Sequence, residues 1–273
     1  MNIDNESFNF LSSLATDRMG IKMPPEKRQL LETRLYRRIT ALKLKSFTEY
    51  CDYLKSNNIE AKKEMEFFYN SVSTNKTDFF RESAHFDFMR NTVLPEIAAM
   101  GKREISIWSS ACSSGEELYS IAIEIEEFIH KNGYSLNYTI LGTDISTKVL
   151  DMAKQGIYKK SVIEPVPPGI RSKYFTRNNE NPLSVTVNKQ LKSRVRLGIF
   201  NLMTRNYNVP GPFDIIFCRN VLIYFDREKQ HYILSNLKSK LVQNGYLFLG
   251  HSESMAGMNL NLKNCAPAVF KKI

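Results

Sequence analysis

Hydrophobic residues recur at helical spacing in the N-terminal part of the chain. Over residues 26–45, the apolar positions step by four, four and three, which is the spacing of one helix face. These positions are Leu31, Leu35, Ile39 and Leu42. Ser46 followed by Glu49 is a capping-box signal for the next helix, and a further helix is predicted over 60–71. We therefore predict an all-α N-terminal domain over residues 1–73.

Residues 74–100 are predicted to form a linker and a connecting helix. Asp78 is expected to cap a helix that runs from Phe79 to Met100. Gly101 is expected to end it, because glycine readily adopts the left-handed conformation found after helix C-termini. By pattern alone, Arg81 is a solvated charge on this helix.

From Glu104 onward, short apolar runs alternate with amphipathic segments. The predicted strands are 105–109, 138–142, 194–200, 213–218, 246–249 and 268–271, and the predicted helices are 115–131, 146–155 and 226–241. Such alternation is typical of an open, mostly parallel sheet with helices on both faces. Residues 158–192 are rich in Pro, Asn and charge and are too long for an ordinary connection. We therefore predict an α/β domain over 101–273, with this segment as an inserted subdomain that contains a short strand at 183–187.

Polar or small residues follow four of the predicted strands, at the edge where sheets of this kind bind ligands. After the first strand, a run of small residues allows close approach of the backbone to a ligand, and Glu117 follows in the first turn of a helix. The other residues are Asp144 after the second strand, Asn201 and Leu202 after the third, and Arg219, Asn220 and Tyr224 after the fourth.

Three of these residues also have a structural explanation, whereas polar groups after the fourth strand rarely serve the core. Glu117 complements a helix dipole, Asp144 can cap the following helix, and Asn201 can be a turn residue. As a set, however, they suit an adenosine ligand, with acidic groups for ribose hydroxyls and an amide for the adenine edge. The sequence contains neither a GxGxxG fingerprint nor a Walker lysine. The set therefore favours a nucleoside without phosphates, such as S-adenosylmethionine.

The charge balance narrows the possible partners without selecting one. Lys plus Arg number 38 and Asp plus Glu number 28, so the formal net charge is +10, which favours nucleic acid, anionic membrane or an acidic protein surface. Four scattered cysteines and four histidines show no ligand spacing, so we expect neither a disulfide framework nor a metal site. No signal peptide is evident, and no apolar run approaches the roughly 20 residues that cross a bilayer. We expect a cytoplasmic protein without membrane insertion.

Five stretches resemble the chemotaxis receptor methyltransferase (CheR) family in order and in spacing. They are NKTDFFRE (75–82), WSSACSSGEELYSIAI (108–123), ILGTDIS (140–146), VPGPFDIIFCRNVLIYFD (209–226) and GYLFLGHSES (245–254). The resemblance implies a Rossmann-like S-adenosylmethionine methyltransferase sheet with a small antiparallel β-subdomain, preceded by an all-α N-terminal domain. It also implies formation of glutamyl methyl esters on the cytoplasmic domain of methyl-accepting chemotaxis receptors, with S-adenosylhomocysteine as product.

The resemblance further implies a cofactor site to which the linker contributes. Its residues are Asn75, Thr77, Arg81, Glu117, Asp144, Asn201, Leu202, Arg219 and Asn220. We expect Arg81 and Tyr224 to act as the catalytic residues by holding the substrate carboxylate, one through a guanidinium fork and the other through a hydroxyl. In some family members the β-subdomain grips a receptor C-terminal peptide. Residues 178–188 lack an obvious glycine turn, which leaves that ability open here.

A basic stripe accompanies the apolar face of the predicted helix at 26–45. At about 100° per residue, Lys27, Arg34, Arg38 and Lys45 lie on one side of this helix. Such a run is ordinarily a solvated face, whereas the resemblance favours docking on acidic receptor helices.

Two other functions agree with part of the pattern. A nucleic-acid methyltransferase would also be basic, but the NPPY-like tetrapeptide expected beside a flipped base is absent, and the strand tip at 219–222 reads RNVL instead. A non-enzymatic receptor adaptor would retain the fold, but polar groups at every strand end argue against it. We therefore expect a receptor partner and no nucleic acid.

Overall fold

The N-terminal part of the molecule is a helical domain. The computed structural model describes residues 1–56 and 58–273, and this domain comprises α1 (Asn5–Met19), α2 (Arg28–Ala41), α3 (Phe47–Lys55) and α4 (Ile59–Val72). Leu31, Leu35 and Ile39 are fully buried on α2, as their spacing predicts. Ser46 caps α3 by accepting from the Glu49 amide at 3.0 Å. The Glu49 carboxylate in turn accepts from the Lys45 amide, one residue before the predicted capping-box position.

The connecting helix begins later than predicted. It comprises α5 (Ser83–Phe88), a π-helical turn (Met89–Val93) and α6 (Leu94–Ala99). Asp78 does not cap it, because Phe80 and Glu82 have φ values of 53° and 56°, which interrupt a helical path. Phe79 is instead buried in the linker, where its ring packs 5.0 Å from that of Tyr158. The prediction of a helix over Phe79 to Met100 is therefore wrong at its start and correct at its end.

The larger domain is built on alternating strands and helices. Its strands in the described chain are β1 (Glu104–Ser109), β2 (Asn137–Asp144), β3 (Ile157–Lys159), β4 (Phe175–Arg177), β5 (Ser184–Val187), β6 (Val195–Ile199), β7 (Phe213–Cys218), β8 (Leu241–Leu249), β9 (Leu262–Ala266) and β10 (Val269–Lys272). Its helices are α7 (Glu116–Asn132), α8 (Thr147–Gln155), α9 (Pro168–Tyr174), α10 (Lys189–Ser193) and α11 (Arg227–Ser239). The predicted strands are all present, and β3, β4 and β9 are additions that the sequence pattern did not reveal.

The main sheet has the strand order β6-β2-β1-β7-β8-β10-β9. β6, β2, β1, β7 and β8 are parallel, and β10 is antiparallel to both of its neighbours. After β6, which lies at one edge of the sheet, the chain crosses over to form β7 on the other side of β1. The strand order therefore reverses between the central strands β1 and β7. A crevice at the carboxyl ends of β1, β2 and β7 follows from this reversal.

The inserted segment forms a separate small sheet. Its order is β3-β5-β4, and both pairings are antiparallel. The turn between β4 and β5 is stabilised by asparagines rather than glycine. The Asn178 side chain accepts from the amides of Glu180 and Asn181, and the Asn181 side chain accepts from the amide of Leu183. The expected β-subdomain is therefore present.

Both faces of the main sheet are covered by apolar side chains. On one face, the rings of Phe217 and Phe248 stack at 4.5 Å. On the other, Trp108 is fully buried and donates its indole N–H to Thr143 Oγ1 at 2.9 Å. Burial on both faces explains why β7 is apolar along most of its length. None of the described helices combines the length and the apolar character that a bilayer crossing requires.

Candidate cofactor and active site

A cleft lies where β1, β2 and β7 end, and it is roofed by the linker and by the end of α1. Its empty volume is about 920 Å³, including the part open to solvent. All of the residues predicted for the cofactor and the substrate carboxylate line it. They are Asn75, Thr77, Arg81, Glu117, Asp144, Asn201, Leu202, Arg219, Asn220 and Tyr224. Tertiary folding thus brings together positions that span 150 residues of the chain.

Arg219 is the central cation of the cleft. Its side chain is 2% exposed, and its Nη1 donates to Glu117 Oε2 at 3.1 Å while its Nη2 donates to Glu82 Oε2 at 3.0 Å. Nη2 also donates to the carbonyl of Arg81 in the linker. The guanidinium Nε is buried without a hydrogen-bond partner among the described residues. Arg219 therefore connects β7, α7 and the linker, and retains one donor for a ligand.

Glu82 joins the linker to the tip of β7. Its Oε1 accepts from Asn220 Nδ2 at 3.0 Å, and its Oε2 accepts from the amide of His251 at 3.2 Å. Burial raises the pKa of this carboxyl, but the hydrogen bonds from Asn220 and Arg219 outweigh it and lower the pKa to about 2. Glu82 is therefore a carboxylate at neutral pH. The sequence prediction missed it, although it is the last residue of the quoted NKTDFFRE stretch.

Asp144 organises the loops that follow β1 and β2. Its Oδ2 accepts from the amide of Ser113 at 2.9 Å, and its Oδ1 accepts from the amide of Ser146 at 3.0 Å. Burial raises the pKa of this carboxyl, and the two amide donors oppose the rise. Ser146, rather than Asp144, is the N-cap of α8. The capping alternative for Asp144 is thereby excluded, and the residue faces the cleft.

The linker lies directly against the loop after β1. Ser113 Oγ donates to the carbonyl of Asn75 at 2.9 Å, and the Asn75 side chain donates to Ser73. Arg81 Nη1 donates to the carbonyl of Lys76 at 2.9 Å. Arg81 is half-buried beside the cleft, so its side chain is not a freely solvated charge.

Asn201 has the turn role that was the simpler alternative, and it also contacts the N-terminal domain. Its Oδ1 accepts from the amide of Met203 at 2.9 Å. Its Nδ2 donates to the carbonyl of Arg18 near the end of α1 at 2.6 Å. Leu202 is buried beside it. The amide of Asn201 is therefore engaged within the protein while the residue borders the cleft.

Tyr224 lies at the mouth of the cleft, near the N-terminal domain. Its carbonyl accepts from the amide of Lys22 at 3.2 Å, and Lys27 Nζ lies 5.9 Å from the centre of its ring. Next to it, Phe225 packs so closely on Gly20 that a β-carbon there would lie 2.2 Å from the ring. The helical domain therefore forms part of the wall around the proposed active site.

Glu253 shapes the strand tip from beneath, and the sequence prediction missed it. Its carboxylate accepts from the amides of Asn220, Val221, Leu222 and Gly250 at distances from 2.6 to 3.0 Å. Asn220 has φ +57°, a conformation that the hydrogen bonds from these amides to the Glu253 carboxylate hold in place. The only available signal was the acid within the GYLFLGHSES stretch.

Only Arg34 and Arg38 of the predicted basic stripe lie on α2, because this helix covers Arg28–Ala41 and not 26–45, and both make internal contacts. Lys27 precedes the helix and Lys45 follows it. Arg38 makes a bidentate pair with Glu64, whose side chain is 1% exposed, and Arg34 donates to the carbonyls of Val72 and Ser73. Lys45 is exposed and Lys27 is half-buried near Tyr224. Docking through this stripe stays a prediction, and Lys27 and Lys45 are the members whose ammonium groups have no carboxylate partner among the described residues.

The donor set fits an adenosyl sulfonium. Acidic side chains at the ends of β1 and β2 suit hydroxyl and ammonium groups, the free Nε of Arg219 is a donor for a carboxylate, and Phe86, Ile145 and Phe225 supply apolar walls. With the order of the parallel sheet and its antiparallel strand, this cleft defines an S-adenosylmethionine-dependent methyltransferase.

The particular family follows from comparison with known proteins. The family model described as CheR methyltransferase, SAM binding domain, matches residues 75–270, and the one described as CheR methyltransferase, all-alpha domain, matches residues 6–73. The chain belongs to the CheR methyltransferase family.

Curated relatives match it along almost their whole lengths. The chemotaxis protein methyltransferase of Borreliella burgdorferi is 36% identical over 278 residues, covering 100% of this chain and 96% of the relative. That of Salmonella typhimurium is 38% identical over 258 residues, covering 94% and 86%. That of Escherichia coli is 36% identical over 255 residues, covering 93% and 86%.

Proposed function

We propose that this methyltransferase esterifies glutamate side chains on the cytoplasmic helices of chemotaxis receptors. The observation that carries the proposal is the cleft itself, in which Arg81 and Tyr224 border the same space as Glu117, Asp144 and Arg219. The names of the relatives support a role in chemotaxis. A cytoplasmic location follows from the proposed substrate.

The chemistry requires positioning more than proton transfer. A glutamate has an ordinary pKa near 4.3 and is already a nucleophile at neutral pH. Among the described residues that line the cleft there is no histidine to serve as a general base. The protein therefore has to align the substrate carboxylate with the methyl donor, and no residue has to remove a proton from it. When bound, S-adenosylmethionine supplies an electrophilic methyl group on a sulfonium.

The protein contributes orientation and partial exclusion of water. Arg81 and Tyr224 would each donate to the incoming carboxylate without forming a fully desolvated ion pair, since a tight grip would quench the nucleophile. Orientation of this kind is worth roughly 7–11 kcal/mol in well-aligned intramolecular reactions. The residues that would hold the cofactor are Asn75, Thr77, Glu117, Asp144, Leu202, Arg219 and Asn220. Asn201 would support this side of the cleft through its hydrogen bond to α1.

Docking on the receptor is the role we propose for the exposed basic groups. Lys27, just before α2, lies 5.9 Å from the Tyr224 ring at the mouth of the cleft, whereas Lys45 follows the end of α2 and is exposed. An acidic helix bound at Lys27 would bring its glutamates towards Tyr224. Attraction between exposed charges is screened by salt, so this contribution should weaken as ionic strength rises.

The decisive experiment follows labelled methyl groups from cofactor to product. The full chain is incubated with methyl-labelled S-adenosylmethionine and receptor cytoplasmic fragments, and the product is treated with base. Glutamyl methyl esters release labelled methanol, whereas methylated nucleic-acid bases do not. Label that resists base, or that transfers to nucleic acid and not to receptor fragments, would overturn the proposal. A receptor fragment with the candidate glutamates changed to alanine is the matched control.

A further inference from the structure

Glu82, His85 and His251 form a cluster beside the cleft that the methyl-transfer mechanism does not use as a unit. One potential ligand atom from each residue lies within 4.8 Å of the other two. Their chain positions, 82, 85 and 251, explain why sequence spacing predicted no metal site. The rings of His85 and His251 are 4.6 Å apart.

The buried histidine has a free lone pair that faces this cluster. His85 is 1% exposed, and its Nε2 lies 3.3 Å from the carbonyl of Pro267. A carbonyl only accepts, so this contact places the hydrogen on Nε2 and leaves Nδ1 as an acceptor. His85 Nδ1 is buried, and no group in the described part of the chain forms a hydrogen bond with it. A backbone carbonyl that orients the second ring nitrogen is the usual support of a metal-ligating histidine.

The spacing suits a small tetrahedral ion. With bonds of about 2.0–2.1 Å, tetrahedral zinc holds its ligand atoms about 3.4 Å apart. His85 Nδ1 and Glu82 Oε2 are already 3.5 Å apart. His251 is exposed, so its side chain is free to turn towards the other two and leaves a fourth position to water. Two imidazoles and one carboxylate are a ligand set that zinc adopts in proteins.

We propose that Glu82, His85 and His251 bind a divalent transition metal of the zinc type, and that this ion is linked to the cofactor cleft through Glu82. The link arises because Glu82 Oε2 also accepts from Arg219 Nη2 at 3.0 Å. A cation on Glu82 competes with this guanidinium and releases it from its position beside Glu117. Occupancy of the metal site therefore weakens cofactor binding.

The local charges permit such an ion. Arg219 is a nearby cation, but the carboxylates of Glu82 and Glu117 both contact it, and Glu253 lies on the other side of Asn220. The carboxylates of Glu82 and Glu117 carry two negative charges and the guanidinium of Arg219 carries one positive charge, so these three groups together are net negative even without Glu253. The charge around the site is therefore not dominated by the guanidinium of Arg219.

Metal binding is tested directly with the purified full chain, without receptor, so that the result does not depend on the proposed substrate. We expect one Zn²⁺ per chain by calorimetry, and a Co²⁺ absorption spectrum typical of nitrogen and oxygen ligands without thiolate charge transfer. His251→Ala should weaken zinc binding at least about tenfold. His231→Ala, which removes another exposed histidine on α11, is the matched control and should bind as the wild type does.

Linkage to the cleft is measured as the ratio of S-adenosylhomocysteine affinities with and without zinc. We expect the affinity with zinc divided by the affinity without zinc to be below one in the wild type and equal to one in His251→Ala. Zinc binding without any change of cofactor affinity would retain the site and overturn the link. Absence of saturable binding, or binding that His251→Ala leaves intact, would overturn the site. A thiolate charge-transfer band in the Co²⁺ spectrum would also overturn the site, because it would assign the metal to a cysteine.

Discussion

The carboxylate of Glu253 holds the backbone of Leu222 at 2.6 Å and, through the adjacent amides, fixes the turn that carries Arg219 and Asn220 into the cleft. Four backbone N–H groups point at this one side chain. The position of the proposed cofactor-binding residues Arg219 and Asn220 therefore depends on Glu253, which lies behind them.

Replacing Glu253 by glutamine should loosen this turn. The amide nitrogen of glutamine cannot accept, so some of the buried N–H groups lose their partner, at about 1–3 kcal/mol of stability. We expect a lower free energy of unfolding in urea and weaker binding of S-adenosylhomocysteine by calorimetry. Glu66→Gln, at an exposed position of α4, should change neither. Wild-type affinity in Glu253→Gln would remove this residue from the support of the site.

Gly250 is required by the close approach of the same turn. A β-carbon at this position would lie 2.6 Å from Asn220 Nδ2 and 2.8 Å from the Asn220 amide nitrogen. Gly250→Ala must displace Asn220, and overpacking of this kind costs about 1–3 kcal/mol, so cofactor affinity should fall roughly tenfold. Gly169→Ala meets no atom within 4 Å and serves as the control in the same calorimetric assay. Equal affinities of the two variants would contradict the steric argument.

Lowering the pH should weaken the hydrogen bonds and the ion pair by which Glu82 of the linker holds Arg219 and Asn220 at the end of β7. The pKa of Glu82 is lowered from 4.5 to about 2 in the folded chain. The stability that Glu82 contributes is therefore present above pH 4.5, and is lost as the pH falls from there towards 2, by up to about 1.4 kcal/mol per pH unit. The difference in unfolding free energy between wild type and Glu82→Gln should shrink across this window. A difference that stays constant would show that the carboxylate charge is not what stabilises the contact.

Tyr224 and Arg81 should separate catalysis from cofactor binding. Tyr224→Phe removes a single hydroxyl that would orient the incoming carboxylate, so turnover should fall by up to about 100-fold, the cost of a small misplacement of a reacting group, while S-adenosylhomocysteine still binds. Arg81→Ala should lower both turnover and affinity, because Arg81 also bonds to the linker carbonyl of Lys76. Tyr232→Phe, whose hydroxyl donates to the carbonyls of Thr204 and Arg205, is the control. Full activity in Tyr224→Phe would exclude this residue from the mechanism.

The N-terminal domain allows stability to be separated from docking. Arg38→Ala leaves the buried carboxylate of Glu64 without its cation, so thermal unfolding should show a loss of about 3 kcal/mol or more. Arg37→Ala, on the same helix but exposed, should leave the free energy of unfolding nearly unchanged.

Charge reversal at Lys27 and Lys45 tests docking on the receptor. Receptor methylation should slow and lose part of its salt dependence, while the free energy of unfolding stays unchanged. If methylation is unaffected, this stripe is only a solvated surface.

The alternation of apolar runs and amphipathic segments was sufficient to predict the sheet and the place of the cleft. Parallel strands joined by helices necessarily bring their carboxyl ends to one edge, and therefore Glu117, Asp144 and Arg219 could be grouped before any contact was known. The linker residues needed the family resemblance, because no periodic pattern marks Asn75 or Thr77.

Contacts between distant parts of the chain decided the remainder. Local propensity extends a helix back to Phe79, but Glu82 takes a left-handed conformation in which its carboxylate reaches Arg219 and Asn220, more than 130 residues away. Likewise, the sequence pattern places Arg38 among surface charges, whereas in the folded chain α4 brings the buried carboxylate of Glu64 into contact with it. Backbone conformations and ion pairs of this kind are stabilised by partners that only the folded chain supplies, and so no local pattern of residues encodes them.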